Sequence, residues 1–218
     1  MDAWIASLGQ SLGNAWQLMS LWELAAVILA IAYLLLAAKE SLWCWYAAFI
    51  STAIFTLLFW DASLLMESGL QIYYLGMAVF GWYQWKQQSN QRSQPNVKIH
   101  TWSAKRHTTV IALVITLSLI SGYFLSNYTE AAWPFVDSFT TWGSVVTTYM
   151  VTRKVLENWL YWLVIDTISI FLYWDRGLHL TALLFVAYLV ICTFGYIHWR
   201  RQLQSVDRAT SALSSSVT

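Results

Sequence analysis

Charge is what this sequence has least of. Only 11% of its 218 residues are Asp, Glu, Lys or Arg, against about a quarter in ordinary soluble domains. By contrast 58% are hydrophobic and 15 are Trp. Such a chain cannot build a water-facing surface all round, so it reads as an integral membrane protein. Cysteine is scarce too. Cys44 and Cys192 sit inside apolar runs with no CxxC and no histidine at ligand spacing, which gives no basis for a disulfide or a metal site. The four histidines, His100, His107, His179 and His198, are scattered over loops and the ends of apolar runs. No nucleophile stands with a base, which argues against an enzyme. There is no GxxxxGK run to hold a nucleotide. Asp2 is the first charge and Lys39 the first lysine, so the basic start of a secretory signal is missing and the first span is expected to stay in the mature chain. No cofactor and no nucleic-acid partner are expected.

What the chain has instead is apolar length. Seven segments suit membrane helices: residues 21 to 38, 42 to 60, 68 to 86, 107 to 126, 136 to 152, 157 to 174 and 178 to 199. The predicted fold is an all-α bundle of seven transmembrane helices. Residues 1–20 place Trp4, Ile5, Leu8, Leu12, Trp16 and Met19 at the spacing of a short interfacial helix. Residues 87–106 read as a flexible cytoplasmic linker, and the polar, Ser-rich tail 200–218 as disordered after Gln202. Charge placement tests the count. With the C-terminus in the cytoplasm, eleven of the twelve basic residues fall inside and only Arg176 outside. The N-terminus then faces out, as do Asp61, Glu67, Glu130, Asp137 and Asp175.

An internal repeat organises the helices. At an offset of 114 residues, Lys39, Trp45, Trp60, Asp61, Tyr74, Phe80, Gly81, Trp85 and Lys86 meet Arg153, Trp159, Trp174, Asp175, Tyr188, Phe194, Gly195, Trp199 and Arg200. Residues 21–86 and 136–199 are thus two copies of three spans, with 107–126 as a linking helix. Equivalent spans lie four apart and run the same way, so the plan is 3+1+3 with parallel repeats about an axis along the membrane normal. In transporters built from repeats, substrate binds near the midplane where the copies face each other.

The sixth span carries the chemistry. Wound at about 100° per residue, Asn158, Trp159, Trp162, Asp166, Ser169 and Tyr173 fall in one arc, and most of the remaining perimeter is aliphatic or Phe. An Asp near the centre of a span costs about 2.5 to 3.5 kcal/mol on insertion scales and is kept where the bundle interior compensates it. A structural carboxylate bonded to a neighbouring helix is the plainer reading. It does not explain two Trp and a Tyr on the same face. The facing repeat offers Trp45 and Thr52 from the second span, with Gln71 and Tyr74 from the third. The fifth span contributes a polar face of Thr141, Ser144, Thr148 and Thr152, of which Thr148 is a candidate lining residue. The tryptophans near span ends are read as an interfacial belt.

The run TRKVLENWLYW from Thr152 to Trp162, GWYQW from Gly81 to Trp85, Leu70 with Gln71, and WPFVDS from Trp133 to Ser138 resemble the PnuC nicotinamide riboside transporters. The resemblance covers about residues 22 to 201. It implies a bundle related to the SWEET sugar transporters, a homotrimer with one pathway per subunit, residence in a bacterial inner membrane, and facilitated diffusion made one-way by cytoplasmic phosphorylation of the cargo. Thiamine carriers are relatives of that family. The chain departs from the riboside-carrier pattern at Asp166 and near Ser51, where that pattern has Asn, and at Leu65, Met66 and Glu67.

Nicotinamide riboside and thiamine share a flat ring with a quaternary nitrogen. Trp159, Trp162 or Trp45 is expected to stack on it, Asp166 to offset its charge, and Asn158 with Gln71 to bond its polar substituents. Apart from Lys86 at the very end of the third, no Arg or Lys lies within a span to receive a phosphate, so phosphorylated cargo is expected to be rejected. A thiamine carrier and a proton-coupled vitamin symporter are the alternatives.

Overall fold

The apolar runs hold no internal proline, and each winds into one uninterrupted helix. The computed structural model describes residues 21–61, 65–90, 99–129, 133–175 and 179–215, and the helices within them are α1 (Leu21–Ala38), α2 (Cys44–Asp61), α3 (Leu65–Asn90), α4 (Ala104–Tyr128), α5 (Pro134–Thr152), α6 (Asn158–Asp175) and α7 (His179–Ser215). Among the described residues there is no strand, only a single parallel bridge between His100 and Val155. Pro134 opens α5, where a missing N–H costs nothing. Inside α5 the hydroxyls of Thr147 and Thr148 donate to the carbonyls of Gly143 and Ser144 at 2.7 and 2.8 Å, which lets polar residues lie in a buried helix. The expected interfacial segment 1–20 lies outside the described residues, as do Arg92, Lys98, Glu130 and Arg176.

By length and composition alone, Leu21–Ala38, Ala104–Tyr128 and Thr181–Val206 are long and apolar enough to cross a membrane. The shortest helices, α1, α2 and α6, have 18 residues each, about 27 Å at 1.5 Å per residue and close to the hydrocarbon thickness of about 30 Å. α6 is less apolar than Leu21–Ala38, Ala104–Tyr128 and Thr181–Val206 because it carries the polar groups that face inward.

Six helices close a ring. α1 packs on α2, α2 on α3, α3 on α5, α5 on α6, α6 on α7, and α7 returns to α1. α4 packs along α5, seated along Val114, Ser118 and Gly122, a seam small enough for close helix approach, and meets α6 through His107, whose Nδ1 lies 2.9 Å from the Tyr161 hydroxyl. Outward faces are apolar and exposed, as at Leu119, Phe124, Val164 and Phe171.

Many contacts recur at the sequence offset. The Trp45 ring meets Trp85 edge-on at 5.3 Å and 87°, and Trp159 meets Trp199 at 5.4 Å and 89°. Each of Trp45 and Trp159 fills the notch left by a glycine, Gly81 and Gly195 respectively. α1 and α5 both end in a left-handed residue, Glu40 at φ 52° and Lys154 at φ 55°. The two halves also clasp each other reciprocally. Trp85 Nε1 donates to Thr152 O at 3.2 Å, and Trp199 Nε1 donates to Ala38 O at 3.1 Å. Between them Lys154 Nζ donates to Glu40 Oε2 at 2.7 Å and lies 4.8 Å from the Trp85 ring.

Two expectations need correction. The tail after Gln202 is helical to Ser215, because SVDRATSALSS contains neither Gly nor Pro to stop α7. The end of the linker is docked rather than loose. Ile99 is buried, His100 N–H donates to Lys154 O at 3.2 Å, and Leu156 N–H donates to His100 O at 2.8 Å. An apolar side chain and two backbone bonds offset the entropy of ordering that segment.

Candidate functional site

The inward stripe of α6 forms because its polar residues recur at helical spacing. Asn158, Asp166 and Ser169 are buried together with Trp159, while Leu160, Val164 and Phe171 on the other side are exposed. Asp166 is 2% exposed. Among the described residues its one hydrogen-bond partner is Cys192 on α7, whose thiol donates to Oδ2 at 3.8 Å. A thiol is a weak donor, and a carboxylate can accept several bonds. This one is therefore buried and poorly compensated, an expensive arrangement unless something else supplies positive charge or donors.

Tyrosines surround it. Tyr74 on α3 and Tyr188 on α7 both lie within electrostatic reach of Asp166, and Tyr173 lies within reach of both. Tyr74 also lies beside Ser144 of α5. Tyr33 on α1 comes close to Tyr74, Cys44 and Cys192. Groups from α1, α2, α3, α5, α6 and α7 thus converge inside the ring. Among the described residues, the buried atoms without a hydrogen-bond partner include Asn158 Oδ1, Trp159 Nε1 and Trp45 Nε1. Buried groups of this kind ordinarily find a partner, so each is free to bond water or a solute. The Asn158 amide nitrogen is committed to Val155 O at 2.6 Å.

The sequence-predicted residues divide by depth. Asp166, Tyr74 and Tyr173 are brought together, and Trp162, half-buried, is one turn of α6 from the carboxylate. Ser169 is buried on the same stripe, while Gln71 and Thr52 are half-buried. Thr148 is buried, but its hydroxyl is spent on Ser144 O. Trp45 and Trp159 belong to the packed tryptophan cluster. Trp159 lies seven residues from Asp166, about 10 Å along the helix. In this conformation their rings fill glycine notches, so Trp162 is the indole placed nearest the carboxylate along α6.

Sequence reasoning missed Cys192, Tyr188 and Tyr33 as lining groups, and it placed Ser144 on the polar face of the fifth span without making it a site residue. The repeat contained a signal for one of them, since Tyr188 is the counterpart of Tyr74. α1 and most of α7 are apolar on every side, and nothing in such a helix says which face turns inward. Among the described residues no three His, Cys, Asp or Glu side chains cluster to hold a metal.

A family model described as "Nicotinamide mononucleotide transporter" matches residues 20–201. The riboflavin/roseoflavin transporter RibM of Streptomyces davaonensis is 25% identical over 180 residues, 81% of this chain and 83% of that one. The nicotinamide riboside transporter PnuC of Escherichia coli is 25% identical over 215 residues, 88% of this chain and 89% of its own. A crystal structure of the vitamin B3 transporter PnuC superposes with a TM-score of 0.69 at 19% identity, covering 92% of this chain and 90% of that one, and shares its fold.

Proposed function

The chain belongs to the nicotinamide mononucleotide transporter family and is a membrane transporter for a vitamin rather than an enzyme, and on that premise we propose that its cargo is nicotinamide riboside. The observation that carries this reading is Asp166, a carboxylate buried inside a ring of helices with one weak thiol partner. A quaternary pyridinium supplies the missing charge. Trp162 stacks on the ring, a cation–π contact of about 2 kcal/mol when desolvated. Asn158 Oδ1, which lacks a partner, and Gln71 accept from the ribose and amide groups. The riboside fits better than its mononucleotide, because α6 contains no Arg or Lys to meet a phosphate.

The pathway runs through the ring, with residues 21–86 and 136–199 as two parallel three-helix repeats about an axis along the membrane normal and 107–126 as their link. The reciprocal bonds from Trp85 to Thr152 and from Trp199 to Ala38 support this arrangement. Transport is facilitated diffusion, with trapping by phosphorylation in the cytoplasm of a bacterium. The basic end, with Lys39, Arg153, Arg200 and Arg201, faces that cytoplasm, and the N-terminus faces out. Each copy of a homotrimer holds its own pathway, inside its own ring of six helices.

A second reading is a riboflavin carrier, favoured by the RibM relative. Its flat ring system is neutral and brings no charge to offset the carboxylate. Thiamine, which is cationic, stays as a third cargo. Calorimetric titration of the purified protein with all three ligands decides among them. Nicotinamide riboside is expected to bind tightest, and Asp166→Asn to weaken it about tenfold, roughly 1.4 kcal/mol, with oligomeric state unchanged. Tighter thiamine binding reassigns the cargo. Riboflavin binding indifferent to Asp166→Asn, with no riboside heat, overturns the cationic reading. In liposomes, uptake driven by a pH gradient alone would establish proton coupling in place of facilitated diffusion.

A further inference from the structure

Outside the ring, α3 and α4 do not touch, and the wedge between them over α5 is a cavity of about 650 Å³. Its rim lies at the basic end. Arg106, at the start of α4, sits 5.1 Å from the Trp102 ring, and Arg153 caps α5. Both are exposed, and neither is paired with a carboxylate among the described residues, where the ion pairs are Lys154 with Glu40 and His107 with Glu157. Below the rim the wall turns apolar. Val110 and Leu113 follow Arg106 by four and seven residues on α4, while Tyr149 and Val146 precede Arg153 by four and seven on α5. Both helices therefore run from a guanidinium to an apolar wall over about 10 Å.

That depth is the distance from a headgroup layer into the first carbons of the hydrocarbon. A soluble anion would use the rim and leave the wall wet. An apolar solute would use the wall and leave two cations facing it unneutralised. We propose that the wedge seats one anionic phospholipid, its phosphate held by Arg106 and Arg153 and an acyl chain laid along Val110, Leu113, Val146 and Tyr149. Basic recesses between membrane helices are suited to such headgroups. The site is separate from Asp166, so its failure would leave the cargo reading untouched.

Native mass spectrometry of the detergent-purified protein tests this, with phosphatidylglycerol, phosphatidylcholine or inorganic phosphate added and one palmitoyl and one oleoyl chain on both lipids. The wild type is expected to retain phosphatidylglycerol with roughly tenfold preference over phosphatidylcholine. The double variant Arg106→Gln with Arg153→Gln should lose that preference, whereas Arg106→Lys with Arg153→Lys should keep most of it. Leu113→Asn should lower retention of both lipids, a change to which a free phosphate site would be indifferent. Equal retention of the two lipids by the wild type overturns the proposal. So does displacement of phosphatidylglycerol by millimolar phosphate with no effect of Leu113→Asn, which would mark a free-anion site. If lipid binds only after the oligomer is dissociated, the wedge is a contact between copies and the proposal also fails.

Discussion

At the scale of single residues, two glycines make room for two indoles. A methyl group on Gly195 would lie 2.8 Å from the buried ring of Trp159, and one on Gly81 would meet the ring of Trp45 more closely still, whereas Gly76 has nothing within 4 Å. Neither ring can retreat, because Trp45 and Trp159 are each held edge-on by another tryptophan. Overpacking of this kind costs about 1 to 3 kcal/mol. Gly81→Ala and Gly195→Ala are each expected to lower the thermal midpoint in detergent by several degrees, and Gly76→Ala to change it little. Equal behaviour of all three would mean that the cluster is looser than these distances imply. The pairing of Gly81 with Gly195 and of Trp45 with Trp159 was legible in the sequence as a repeat. That each glycine serves its own tryptophan was not, since the two residues are on different helices and only packing joins them.

At the scale of elements, the turns after α1 and α5 hold the two halves together at one end. Lys154 and Glu40 are 11% and 19% exposed in their side chains, so removing one charge strands the other in a half-dry site. Lys154→Met and Glu40→Gln are each expected to cost about 1 to 3 kcal/mol, between an exposed and a fully buried pair. Exchanging the two side chains, Glu40→Lys with Lys154→Glu, should recover most of that loss in a thermal unfolding series. If the exchanged protein is no more stable than either single variant, the charge pair is not what holds the turns. The inward face of α6 was legible because polar residues interrupt an apolar helix at a fixed spacing. The inward faces of α1 and α7 were not, and so Tyr33, Tyr188 and Cys192 came to light only with the ring. The docking of Ile99 to Ser103 on the turn before α6 was equally hidden, because backbone pairing of an irregular segment leaves no periodicity to read.

At the scale of the whole molecule, the proposed orientation can be measured directly. The native thiols, Cys44 and Cys192, are buried and should stay silent toward a membrane-impermeant maleimide. Ser126 near the end of α4 and Ser205 on α7 are exposed and lie toward opposite ends of the bundle. Ser126→Cys is expected to label in intact cells, and Ser205→Cys only after the membrane is opened. The reverse pattern would invert the topology and the direction of trapping with it. The seven spans and their order could be read from apolar length and from the placement of Lys and Arg. The closure of six of them into a ring, with α4 left outside, could not, because the contacts of α1 with α7 and of α3 with α5 join segments distant in the chain. The touching pair of Glu40 and Lys154 bears on ancestry. The two residues sit at matching positions of the two copies, so in a dimer of separate, identical three-helix units each would have faced its own twin, like charge against like. An acid opposite a base at such a spot is open only to copies whose sequences differ.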